Sequence, residues 1–150
     1  VWSEPMSQGT RCRQIAEYVV FESPLCMLCD TPANYIKEEE CTRFICSIPT
    51  VWNETRVIEG KIGDYITIAR KSYDDVWYVG SIASWDGRKA TLDLSFLEDG
   101  KYQAEIFKDG INASHNANDY KRTCIQVCKQ DRLEIEIAPG GGYIIRLKKI

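Results

Sequence analysis

From Val51 onward, apolar and polar residues alternate in short runs separated by turn residues. In "YITIAR", "TLDLSF" and "LEIEIA" every second side chain falls on one face, the period of a half-buried strand. Strands are predicted over 55–59, 64–71, 76–82, 89–95, 101–108, 120–127, 132–137 and 142–148. Asp-Gly or Gly-rich turns stand at 86–87, 99–100, 109–110 and 140–142. Eight short strands at this spacing predict a mostly β fold, an antiparallel eight-stranded β-sandwich over 49–150.

Residues 1–48 follow a different period and predict helix, short strand, helix. Thr10 is placed to cap "RCRQIAEYVVFE", in which Cys12, Ile15, Ala16, Val19 and Val20 make one apolar face. Pro24 ends that helix by restricting Ser23. "PLCMLC" is too short for a helix and nearly all apolar, the pattern of a strand buried on both faces in a parallel sheet. Thr31-Pro32 opens a second helix, a cap residue followed by proline at the first position. Its acidic run Glu38-Glu39-Glu40 is expected to face solvent, with Tyr35, Cys41, Phe44, Ile45 and Ile48 on the buried side. A doubly buried strand cannot form a parallel sheet alone, so this segment reads as the end of something larger.

The chain has 150 residues, 44% of them hydrophobic and 27% charged, which is the balance of one soluble domain. A net charge of −3 with mixed signs supplies no basic stripe for nucleic acid. No run approaches the length of a membrane span, and the first residues lack the layout of a secretory signal. Seven cysteines, an odd number, argue against a disulfide framework and for small buried apolar side chains. Cys26 and Cys29 have the Cys-x-x-Cys spacing of redox and zinc sites. On a strand, however, residues three apart point to opposite faces and cannot share one ion.

Several segments, in order along the chain, then carry a resemblance. "QGTRCRQIAEYVVFESPLCMLCDTPANY", "IPTVWNETRVIEGKIGDYITIARK", "WYVGSI", "LDLSFLEDGKYQAEIFKDGINA", "NDYKR" and "APGGGYIIRL" together resemble the C-terminal region of glycoside hydrolase family 97. The resemblance implies bacterial α-glucosidases and α-galactosidases built from an N-terminal β-sandwich, a catalytic (β/α)8 barrel and a C-terminal β-sandwich. It makes residues 1–48 a helix–strand–helix remnant of the barrel, with "PLCMLC" as the eighth strand, and 49–150 the sandwich. It also implies catalytic carboxylates and a calcium ion held upstream of Val1, and a parent exported to the periplasm or secreted. The parent's partner is an α-linked oligosaccharide. For this chain the partners are the remainder of the barrel and further copies of itself in a homo-oligomer. Glycosidic hydrolysis needs two carboxyl groups at a fixed separation, and no such motif is visible here, so the chain alone is predicted inactive and without a cofactor.

Within that frame Asp30 is the one candidate site residue. It follows the eighth-strand segment at the end where such barrels carry their active site, so it would lie near the substrate in the parent. The simpler role is to cap the next helix with Thr31. "KDGINASHNAND" is rich in oxygen ligands (Asp109, Asn112, Asn116, Asn118, Asp119) but lacks a calcium-loop spacing, so a structured loop is expected. The aromatics Trp52, Trp77, Tyr78, Trp85, Tyr102 and Tyr143 raise the alternative of a free-standing carbohydrate-binding module. Trp77 and Tyr78 must face opposite ways, and Trp85 in a turn is the most exposed candidate.

Overall fold

The computed structural model describes residues 7–150. All eight predicted strands are present: β1 Glu54–Lys61, β2 Tyr65–Lys71, β3 Trp77–Ala83, β4 Arg88–Asp93, β5 Lys101–Asp109, β6 Tyr120–Cys128, β7 Arg132–Ile137 and β8 Gly142–Lys149. They divide six and two. One sheet runs β1-β2-β3-β8-β5-β6, antiparallel throughout, and β4 pairs only with β7.

The β4–β7 ribbon lies on one face of the large sheet. Ala90, Leu92, Ile135 and Ile137 from the ribbon pack with Trp77, Val79, Tyr102, Ile145 and Leu147 from the sheet. The opposite face is covered by helices α1 (Arg11–Val20) and α3 (Glu39–Cys46). Cys12, Ile15, Ala16, Val19, Cys41 and Phe44 meet Tyr78, Phe107 and Ile144 there. Trp77 and Tyr78 do point to opposite faces, and both are buried because each face is covered. For the same reason the central strands β3 and β8 are buried almost end to end rather than alternately.

α1 forms as its pattern predicts, two residues shorter at its end. The Thr10 side chain accepts a hydrogen bond from the Arg13 amide at 3.2 Å, and Phe21 leaves the helix in extended backbone. Full burial of Ile15 and Val19 removes two side chains from water, each contributing about 1.5–3 kcal/mol of transfer free energy. Thr10→Ala should lower unfolding free energy by about 1 kcal/mol, read from the midpoint of urea denaturation.

Three expectations need correction, two of them within the first 48 residues. "PLCMLC" is not a strand; residues 24–29 have no ladder partner, and Leu25 and Met27 are 75% and 74% exposed. A strand buried on both faces needs neighbours, and the described chain offers none, so the backbone there is left to water. The second helix is broken at Glu38 into α2 (Pro32–Lys37) and α3, because Glu38 has φ −103° and ψ 44°. The break turns the two pieces independently, leaving Ile36 on α2 76% exposed while Cys41 and Phe44 on α3 are buried. Finally, only Cys12 and Cys41 are buried; Cys26 and Cys128 are half-buried, and Cys29, Cys46 and Cys124 are exposed. Those five lie on an uncovered segment, at the end of α3 or along an edge strand, where there is no second layer to bury them.

Candidate functional site

Asp30 stands just before α2 and is exposed. Its Oδ1 accepts from the Thr31 amide at 2.6 Å and from Asn34 Nδ2 at 2.8 Å, while its own amide donates to the Tyr35 hydroxyl at 3.0 Å. The amide bond from Thr31, then that from Asn34, hold its carboxyl below the usual range. Thr31 itself makes no capping bond, so Asp30 supplies the anion at the helix start. Cys26 and Cys29 donate weakly to the Ser23 and Met27 carbonyls, and neither is in a disulfide.

The acidic run of α3 is exposed, as predicted, but two of its members also hold the helix to its neighbours. Glu38 pairs with Arg11, tying α3 to α1. Glu40 accepts from the Tyr120 hydroxyl at 2.7 Å and from Arg122 at 3.0 Å, tying α3 to β6. The Tyr120 bond is the main reason its pKa falls. Behind it Glu105, buried on β5, is held between Arg122 at 2.7 Å and Arg146. Arg146 also donates to Ser47 Oγ at 3.2 Å, and the Tyr78 hydroxyl donates to the Ser47 carbonyl at 2.8 Å. This chain of charges bolts the end of α3 to four strands of the sheet. Sequence period alone missed it, since partners some eighty residues apart leave no local signal.

The oxygen-rich loop between β5 and β6 is structured, as expected, and its side chains bond inward. Asp119 Oδ2 accepts from the Asn112 amide at 2.8 Å, Asn116 Oδ1 from the Asn118 amide at 3.1 Å, and Asn118 Oδ1 from Arg11 at 2.9 Å. Asp109 reaches across to the β7–β8 turn, where its Oδ2 accepts from the Ala138 and Gly142 amides, each at 3.0 Å. These bonds tie the loop to itself, to α1 and to the β7–β8 turn. Among the described residues no three His, Cys, Asp or Glu side chains gather as metal ligands.

Of the aromatic candidates, Trp77, Tyr78, Tyr102 and Tyr143 are buried, which removes them as sugar platforms. Burial pushes the Tyr143 phenol up to about 12, against the pull of the neighbouring Thr67 and Ser81 hydroxyls. Trp52 is half-buried against Tyr78, ring centroids 5.6 Å apart. Trp85 is exposed beside a cleft of about 580 Å³ that also borders Arg13, Asp64 and Tyr65. It also lies against Gly140, where a Cβ would come within 2.5 Å of the ring.

A six-stranded antiparallel sheet, ribboned on one side and helix-covered on the other, defines a β-sandwich module. The chain belongs to the family described as "Glycosyl-hydrolase 97 C-terminal, oligomerisation", whose sequence model matches residues 51–148. It is 54% identical over 147 residues to a retaining α-galactosidase of Bacteroides thetaiotaomicron, covering 98% of this chain and 22% of that protein. A glycoside hydrolase family 97 enzyme from Pseudoalteromonas sp. strain K8, solved with acarbose, superposes with a TM-score of 0.92 and 34% identity. That match covers 95% of this chain and 23% of the enzyme, so it takes in the helical segment as well as the sheets. A β-arabinopyranosidase structure matches with a TM-score of 0.76 and 26% identity, covering 92% of this chain and 21% of that one. The chain therefore spans about a fifth of the length of the relatives it matches.

Proposed function

We propose that this chain is the C-terminal, non-catalytic part of a family 97 α-glycosidase, its sheet module serving the assembly of the enzyme into an oligomer. Residues 1–48 form the last segment of the catalytic barrel and 49–150 the module. The observation that carries this reading is the uncovered apolar stretch beside a well-covered sheet. Leu25, Met27, Leu28 and Ile36 are exposed within twelve positions of one another, a patch that a self-sufficient domain would bury. The rest of the barrel is its natural cover, and Asp30 at the far end of the stretch would then lie near the sugar pocket. The parent cleaves α-galactosidic or α-glucosidic bonds. Identity to a retaining α-galactosidase favours the former. Any calcium of the parent is held by residues outside this chain, and the parent works in the periplasm or outside the cell.

Two measurements test this. The purified chain should release no nitrophenol from aryl α-galactosides or α-glucosides above the blank, and light scattering should give a mass above that of one chain. Hydrolysis that persists through repeated purification would overturn the non-catalytic assignment. A single-chain mass at every concentration would overturn the assembly role. The exposed Trp85 ring keeps the carbohydrate-binding module as a second reading; it predicts a tryptophan fluorescence change on titration with maltooligosaccharides, where the first predicts none.

A further inference from the structure

We infer that the module self-associates through the free edge of β6, which pairs antiparallel with β6 of a second copy about a two-fold axis at Cys124. The inference rests on the assembly role proposed above and names the surface that performs it.

The large sheet ends in β1 on one side and β6 on the other. β1 carries a bulge between Val57 and Glu59 and charges at Glu54, Arg56, Glu59 and Lys61, the devices that keep an edge from pairing. β6 has no bulge, and its charges, Lys121 and Arg122, are confined to its first three residues. It runs nine residues in unbroken register with β5, from Lys101↔Cys128 to Asp109↔Tyr120, without bulge or proline.

The direction of its free backbone groups follows from the turn. The Gly110 amide donates to the Asp119 carbonyl, and bonded pairs alternate along an antiparallel ladder. Lys121, Thr123, Ile125 and Val127 therefore bond to β5. Tyr120, Arg122, Cys124 and Gln126 turn their N–H and C=O groups outward. The far end agrees: Cys128 gives its amide to the Asp131 side chain and its carbonyl to the Asp131 amide, not to β5.

An axis at Cys124 pairs Cys124 with itself and Arg122 with Gln126 at the middle of the edge; Tyr120 then falls opposite Cys128, whose backbone groups stay with Asp131. That register sets Arg122 against Gln126, Lys121 against Val127 and Thr123 against Ile125 of the second copy. No like charges oppose one another, whereas an axis at Arg122 would put two guanidiniums face to face. The same patch then appears on both partners, as a two-fold interface requires, and the two six-stranded sheets become continuous. Cys124 and Ile125, both exposed in the single chain, lie at its centre.

Opposite residues of a bonded antiparallel pair have Cα atoms roughly 5.5 Å apart. A short bis-maleimide added to the 150-residue chain should therefore link Cys124 to Cys124, mapped by mass spectrometry of the digest. Gln126→Pro removes an outward N–H and leaves the β5 ladder intact; Cys124→Lys sets two ammonium groups on the axis. Each should weaken self-association at least about tenfold, with circular dichroism unchanged. If the chain is oligomeric but links through Cys26, Cys29 or Cys46 and both variants associate as wild type does, this edge is not the interface, and the assembly role still stands. A chain that stays single at every concentration sinks both.

Discussion

Gly80→Val should lower the unfolding free energy by about 3 kcal/mol and release α1 from the sheet. Gly80 sits mid-strand in β3, between Ile68 on β2 and Ile144 on β8, and faces the helix layer. A Cβ there would lie 2.9 Å from the Ala16 carbonyl oxygen and 2.9 Å from Val19 Cβ. One of those atoms is helix backbone, so no rotamer change relieves the contact and the helix itself must move. Strand propensity pulls the other way, favouring valine over glycine by at most about 1 kcal/mol. The close approach is the larger effect and decides the sign. Lifting α1 would also re-expose Ile15 and Val19, which are fully buried against the sheet. Urea denaturation gives the stability change, and hydrogen exchange should show lost protection at α1 amides before the strands. A valine variant as stable as wild type, with α1 amides still protected, would mean that the helix is not seated on this glycine.

The β half was legible because its strands read themselves: alternation sets the face and Asp-Gly or Gly-rich turns set the ends. All eight were predicted within three residues at either end. Their division into six and two was not legible, since pairing partners depend on contacts far apart in sequence. α1 was legible because its cap and its apolar face are both local. "PLCMLC" misled for a physical reason: apolar composition says that a segment is buried in something, not that its cover belongs to the same stretch of chain. The acidic run is exposed, as its pattern says, yet its partners were not legible. Glu40 looks like solvated helix surface until β6 brings Tyr120 and Arg122 beside it. Asp30 was visible as a residue at a junction, and its capping bonds were foreseen in kind. Gly80 carried only part of the signal, since a glycine in a strand marks a close approach without naming what approaches.

Asp109→Ala should cost about 3 kcal/mol, with most of the loss at one end of the sheet. The carboxylate is buried, and one of its oxygens accepts both the Ala138 and Gly142 amides, which lets the β7–β8 turn enter β8. Alanine leaves two donors without a partner, each costing roughly 1–3 kcal/mol where water cannot reach. The turn has no slack, because a Cβ on Gly141 would come within 2.0 Å of the Asp109 oxygen. Burial is the largest influence on this acid and raises its pKa, against the Thr10 hydroxyl and the two amides, which lower it. A carboxyl raised in the folded state binds its proton more tightly there than in the unfolded chain, where it titrates near about 3.9. Its contribution is therefore fully present below about pH 4 and is lost as pH rises through the folded value. Asp109→Asn keeps an acceptor for the amides and carries no charge, so it should hold the turn and lack that loss. Urea midpoints measured from pH 3.5 to 7 should then show the asparagine variant gaining on wild type as pH rises, and the alanine variant below both throughout. Parallel pH profiles for wild type and asparagine would show that Asp109 is not held in the folded chain as a buried acid.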